Sequence, residues 1–482
     1  MENELPKGWS EVKLGDVFKT TSGGTPSRTN REYYKGTIPW VKSGELNYNF
    51  ISDTEEKISQ EAIKNSSAKI FPKGTLLIAL YGATIGKLAM LNIGAATNQA
   101  ICGIFENKNN DIRFLYWYLF FKRQDLIEAG AGGAQPNISQ TLLKDLQIPL
   151  PPLTEQKRIV AKLDVILTRI NNCKTRLEKI PALLKSFRQS VLAAAVRGEL
   201  TKEWREKNTS HTNPNTKQIH DSPFELPSTW EWIENKKLSS KESNSIGAGP
   251  FGTIFKARDF RGQGIPIVFL RHIGEGKYLT HKPAFMDKDK WHQLFKSYSV
   301  FGEELLITKL GDPPGTCTIY PTGLGPAMVT PDVIRMTVNN ERVINKYLMY
   351  FFNSPVSKEI MFGLAFGVTR LRIDLPMFKN LLVPLPPLEE QKEIVRKVEE
   401  LFAYADTIEA RYQKAKAWVD KLTQSILAKA FRGELVPQNE NDEPASVLLQ
   451  KIQQEKQNNI QPNQKQKPKL LKSKSFIRKM IK

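Results

Sequence analysis

The chain contains one element twice at a fixed spacing, and a duplicated element of fixed length constrains a fold more tightly than composition does. Residues Pro149 to Val160, reading Pro-Leu-Pro-Pro-Leu-Thr-Glu-Gln-Lys-Arg-Ile-Val, return 235 positions later as Pro384 to Val395 with Glu389 and Glu393 as the changes. At the same offset Arg197-Gly198-Glu199-Leu200 returns as Arg432-Gly433-Glu434-Leu435, so nothing is inserted or deleted between the two signatures. Upstream, Leu5-Pro6-Lys7-Gly8-Trp9 is echoed by Leu226-Pro227-Ser228-Thr229-Trp230. Each half is therefore a globular block followed by one rigid segment.

The rigid segment carries a heptad seam. In the first copy Leu163, Ile166, Ile170, Cys173, Leu177, Leu184 and Phe187 fall at alternating steps of four and three, and in the second Val398, Leu401, Ile408, Val419 and Leu422 keep the register. This spacing predicts two helices packed as a left-handed coiled coil. An amphipathic helix lying on a core would show a wider apolar stripe. The Pro-rich runs stop the preceding chain, Thr154 or Glu389 opens the helix, and Gly198 and Gly433 suit its end. Pro181 stands in the first copy where the second has Lys416, which predicts a kink or a break into two helices.

The blocks read as mixed α and β. Short apolar runs such as Leu76 to Leu80 and Leu305 to Thr308 precede Gly-rich turns at Tyr81 to Lys87 and Gly311 to Gly315. Aromatic helices follow at Phe114 to Phe121 and Lys346 to Phe352, with their rings expected in the core rather than as base-stacking platforms. The expected fold class is α+β: two pseudo-repeated mixed α/β blocks joined by two long helices packed as an antiparallel coiled coil. The boundaries are residues 1–150 and 226–383 for the blocks, 151–200 and 384–436 for the helical regions, 201–225 for a linker and 437–482 for an extension with a basic tail. Antiparallel packing with internal pseudo-two-fold symmetry would set the blocks at opposite ends of a rod.

A net charge of +20 points to a polyanionic partner, most simply nucleic acid. The charge is unevenly placed: the first block is nearly neutral, and Lys465 to Lys479 read as a solvated, disordered extension. Three scattered cysteines, Cys102, Cys173 and Cys317, give neither a disulfide framework nor metal-ligand spacing, and no leader or bilayer-length apolar run is seen. These features predict a cytoplasmic protein without a metal.

Just before each helical region lies a Gly-rich loop, Gly130 to Asn137 and Gly363 to Arg372, with different side chains in parallel places. A shared ligand would need similar polar groups in both loops, whereas reading two base sequences needs different ones. Gln135 and Asn137 can pair bidentately with adenine; Arg370 and Arg372 suit guanine or phosphate. Lys87, Arg258 and Arg261 complete the set of DNA-binding candidates.

Enzyme motifs fail on inspection. Phe260-Arg261-Gly262-Gln263-Gly264 has the form of an S-adenosylmethionine loop and Asp312-Pro313-Pro314-Gly315 that of an amino-methyltransferase motif, but Gly315 offers no ring to stack on a flipped base. Gly82 to Leu88 is one residue short of a phosphate loop and lacks its Ser or Thr. The five histidines lack close metal spacing. Glu155 and Glu390 begin helices, where a carboxylate favours the dipole. No catalytic residue is expected.

The doubled Pro-Leu-Pro-Pro-Leu signature, the Leu-Pro-x-x-Trp openings, the Arg-Gly-Glu-Leu closures and Asp442 to Leu449 together resemble the specificity subunit of type I restriction-modification systems over residues 4–452. The departures are Pro181 and the basic tail. The resemblance implies a sequence-specific DNA-binding subunit with two target recognition domains, each reading half of a split duplex site. It implies docking of two methyltransferase subunits and of restriction subunits, which would carry S-adenosylmethionine, ATP and Mg2+; this chain would hold no cofactor. The rival readings are a DNA methyltransferase in its own right, or a coiled-coil scaffold for RNA or protein with no DNA preference.

Overall fold

The apolar runs form strands because they are enclosed on both faces. In the computed structural model, which describes residues 5–131, 136–208, 224–250, 255–256, 259–367 and 370–460, strand Leu76–Ala79 is buried at every position. Leu76 and Ile78 enter one core with Trp9, Phe114 and Leu119, and Leu77 and Ala79 enter another with Val41 and Phe71. Period-two alternation thus separates two cores rather than core from solvent. Strand Leu305–Thr308 divides its surroundings likewise, Leu305 and Ile307 to one side and Leu306 to the other.

The chain forms two units, Met1–Arg176 with Ala415–Lys482, and Leu177–Lys414. In the first, a five-stranded sheet runs in the order Thr20–Ser22, Ile101–Ile104, Leu76–Ala79, Leu88–Leu91, Asn49–Ile51, beside a four-stranded sheet containing the parallel pair Ile38–Val41 and Ala95–Thr97. In the second, a four-stranded sheet orders Ile246–Ala248, Val333–Met336, Leu305–Thr308, Cys317–Ile319, and a five-stranded sheet contains the parallel pair Ile265–Val268 and Ala327–Val329. The repeat is therefore topological as well as sequential. Each block is closed by an antiparallel ribbon between its first and last strands, Ser10–Lys13 with Gln147–Leu150 and Glu231–Glu234 with Leu382–Leu385.

Helices Leu153–Leu177 and Ile180–Val196 follow the first ribbon, and the break between them places Pro181 in a helical first turn, where its missing N–H costs nothing. The second copy, with Lys416, is one unbroken 44-residue helix, Leu388–Phe431. Within the first unit Lys174 pairs with Asp420 at 3.2 Å, while Ile159 and Leu163 share a core with Leu427, Ala430 and Phe431, so these segments run antiparallel. Within the second, Arg188 pairs with Asp406 and Glu409 at 2.7 and 2.9 Å, and Val191 to Val196 pack with Ile394 and Val398, again antiparallel. Leu163, Ile170, Leu184, Val398 and Val419 are buried, and Ile166, Leu177, Leu401, Ile408 and Leu422 are half-buried. Cys173 and Phe187, at the same spacing, are exposed.

The aromatic helices lie in the cores. Phe114 and Tyr118 of Ile112–Phe121 meet Phe431 edge-on at 5.4 and 5.0 Å, and Tyr347, Phe351 and Phe352 of Asn345–Asn353 are wholly enclosed. The linker read over residues 201–225 opens instead with helix Lys202–Asn208 and ends with Phe224 packed against the second block's core; residues 209–223 lie outside the described residues. In the extension, helix Ala445–Ile460 packs Ala445, Leu448 and Ile452 into the first block's core, and the basic stretch beyond it lies outside the described residues.

Candidate nucleic-acid interface

The repeated signature residues form two matched junctions that hold each block on its helix. Glu155 is buried and accepts from Trp9 Nε1 at 3.0 Å and from Gln438 Nε2 at 2.8 Å; Glu390 is buried and accepts from Trp230 Nε1 at 2.9 Å, Thr201 Oγ1 at 2.7 Å and Arg205. Burial pushes the Glu155 carboxyl above its ordinary value, against the pull of those two donors. The neighbouring glutamines are matched as well. Gln156 accepts from the Asp111 amide at 2.9 Å and donates to Pro151 O, while Gln391 accepts from the Ile344 amide at 2.8 Å and donates to Pro386 O. The two glutamates are thus structural anchors, a role that their position at a helix start did not reveal.

The closures join the same places. Gly198 and Gly433 adopt φ of +77° and +75°, and a Cβ on either would strike the proline of a Leu-Pro-x-x-Trp opening, Pro227 or Pro6. In the first unit the closure of the second helical region therefore meets the opening of the first block. Asp442 accepts from Arg158 and Thr154, and the Arg158 guanidinium holds its carboxyl below the usual range.

With the frame held this way, each block brings its two Gly-rich loops together. In the first, Tyr81 bridges Asn137, and the Tyr81 to Lys87 turn is closed by Gly82 and Gly86, both with positive φ. Arg123 supports it from beneath, donating to Ile85 O at 2.9 Å. In the second block Leu310 bridges Arg372 at the matched place, and Gly311 donates to Leu371 O at 3.1 Å. There Lys358 supports the turn, donating to Thr316 Oγ1 at 2.8 Å; burial lowers its pKa to about 8.

The expected contact residues divide accordingly. Asn137 is exposed beside the turn whose far end carries Lys87, and Lys87 Nζ reaches Asn47 Oδ1 at 3.3 Å. Arg370 and Arg372 are exposed on the second loop. Arg261 lies on a different sheet, in strand Phe260–Arg261, with Asp287 4.0 Å away. Gln135 and Arg258 lie outside the described residues. One residue of this site was missed from sequence: Phe366, exposed, over whose ring the Arg372 guanidinium lies at 4.9 Å.

The enzyme-like motifs are structural. Gly264 has φ of +141° against the Met286 carbonyl, and Gly315 is buried over Met361, which leaves no space there for a flipped base. Among the described residues no group of three or more His, Cys, Asp or Glu could hold a metal ion, and no helix is long and apolar enough to cross a membrane.

A duplicated scaffold that presents chemically different loops at matched positions defines a recognition protein rather than an enzyme. The family described as the type I restriction modification DNA specificity domain matches residues 6–182 and 282–417, and the chain belongs to that family. It is a non-catalytic DNA-recognition subunit. The Type I restriction enzyme EcoBI specificity subunit of Escherichia coli is 35% identical over 373 residues, 75% of this chain and 76% of that protein. The EcoKI specificity subunit of Escherichia coli strain K12 is 29% identical over 94% of this chain and 96% of its own. Two solved chains share the fold. One, from a study of complex assembly and conformational transition in the type I R-M system, covers 89% of this chain and 99% of itself at TM-score 0.63 and 20% identity. The other, the HsdS subunit from Thermoanaerobacter tengcongensis, covers 90% and 99% at TM-score 0.59 and 19% identity.

Proposed function

We propose that the chain reads a split duplex-DNA site, one half through each block, for a cytoplasmic type I restriction-modification complex. The observation that carries this reading is the pair of matched loop sets with unlike chemistry: Asn137 beside the Tyr81 to Lys87 turn in one block, Arg370 and Arg372 in the other. An amide suits adenine N6 and N7, and a guanidinium suits guanine O6 and N7. Phosphate contacts would fix orientation, and the paired helices would set the unread spacer. Two copies of a methyltransferase subunit would dock on the matched helical regions, with restriction subunits joining them. S-adenosylmethionine, ATP and Mg2+ belong to those partners, and the target adenine is flipped into the partner's active site.

The test is long-read mapping of N6-methyladenine in cells expressing this chain with its methyltransferase subunit, against cells lacking the chain. A bipartite motif that disappears with the chain is the expected result. A continuous motif, or methylation indifferent to the chain, would overturn the reading.

A further inference from the structure

We infer that Phe366 is a specificity-positioning residue: its ring holds the Arg372 guanidinium in the orientation with which the second block reads a base. This rests on the proposed reading that the Gly363 to Arg372 loop faces DNA. Phe366 and Arg372 exchange both main-chain hydrogen bonds, each 3.0 Å, and Arg372 is bridged on its other side by Leu310. The two Cα atoms are thereby fixed, and the Arg372 guanidinium carbon sits 4.9 Å from the Phe366 ring centroid. Phe366 is nevertheless 39% exposed, so the core gains little from its ring.

What the ring does supply is a platform. An arginine loses considerable rotamer freedom on forming a bidentate contact, and a guanidinium stacked flat on a ring keeps its N–H edge free to donate. The first block provides the control. There the Asn137 amide donates to the carbonyl of Gly130, the residue that ends the preceding helix, at 3.0 Å, and a Cβ on Gly130 would lie 2.7 Å from the Asn137 carbonyl oxygen. A short asparagine needs no platform, and at Gly130 there is no room for a side chain to make one. The two blocks therefore differ in how the reading side chain is held as well as in its identity.

The experiment uses the full chain in complex with its methyltransferase subunit, acting on a randomised duplex library, with Arg372→Ala, Phe366→Ala and Phe366→Tyr compared. Arg372→Ala is expected to abolish the preference at one base pair of one half-site. Phe366→Ala should relax the same base pair, raising acceptance of the wrong bases roughly twofold to fivefold, while Phe366→Tyr retains the preference and the other half-site is unchanged. If Arg372→Ala relaxes a position and Phe366→Ala does not, the inference fails while the reading of the loop stands. If Arg372→Ala alters no position, the reading of the loop fails too. Uniform weakening on all sequences by Phe366→Ala would assign Arg372 to phosphate and overturn the positioning role.

Discussion

Trp9 and Trp230 each donate an indole N–H to the glutamate that opens a helix, and this pair of contacts ties the repeated motifs into one junction. Trp9→Phe leaves a buried Glu155 oxygen without its donor, at an expected cost of about 1–3 kcal/mol. Trp230→Phe orphans Glu390 Oε2 in the same way and should cost less, because Oε1 of Glu390 keeps the charged donor Arg205 beside Thr201 where Glu155 keeps only Gln438. Urea denaturation of the two variants checks the order, and a reversed order would reject the account. His272 ties stability to pH. It is buried, with Nδ1 accepting from the Phe269 amide at 3.2 Å and Nε2 2.9 Å from His281 O, and burial lowers its pKa from the ordinary 6.5. Below 6.5 the unfolded chain binds the proton that the folded imidazole resists, so stability should fall as pH drops through and below that value. Urea midpoints for the protein and His272→Gln compared between about pH 7.5 and about pH 5.5 test this; an equal fall in both would exclude His272 as the source.

Among the elements, the helices were the most legible from sequence. Heptad spacing is local information, so Leu163 and Val398 could be placed on the buried seam and Pro181 at a helix break without knowing any partner. The seam weakens at Cys173 and Phe187 because local spacing says nothing of whether a facing segment covers them. Leu163→Asp and Val398→Asp each put a carboxylate into a fully buried apolar site and should destabilise by about 3 kcal/mol or more. Unchanged thermal melting of both variants would argue against helix pairing as the source of that burial. Insertion of one heptad in each helical region should lengthen the unread spacer of the methylated motif; an unchanged spacer would assign the ruler elsewhere.

For the whole molecule, the repeat implies modular readout. Replacing residues 1–148 by the corresponding block of a relative should change one half of the methylated motif and leave the other, as mapped by long-read sequencing. A change in both halves would show that the blocks do not read independently. Duplication, the order of blocks and helices, the failure of the enzyme motifs and the family itself were all determined by the sequence, because each depends on identity or short-range spacing. Only the tertiary structure decided that Trp9 meets Glu155 across 146 positions, that Gly198 and Gly433 lie against the opening prolines Pro227 and Pro6, and that Tyr81 meets Asn137 where Leu310 meets Arg372. The physical reason is common to all three: long-range hydrogen bonds and close approaches arise from chain closure around a shared core, and leave no periodicity in the sequence from which they could be read.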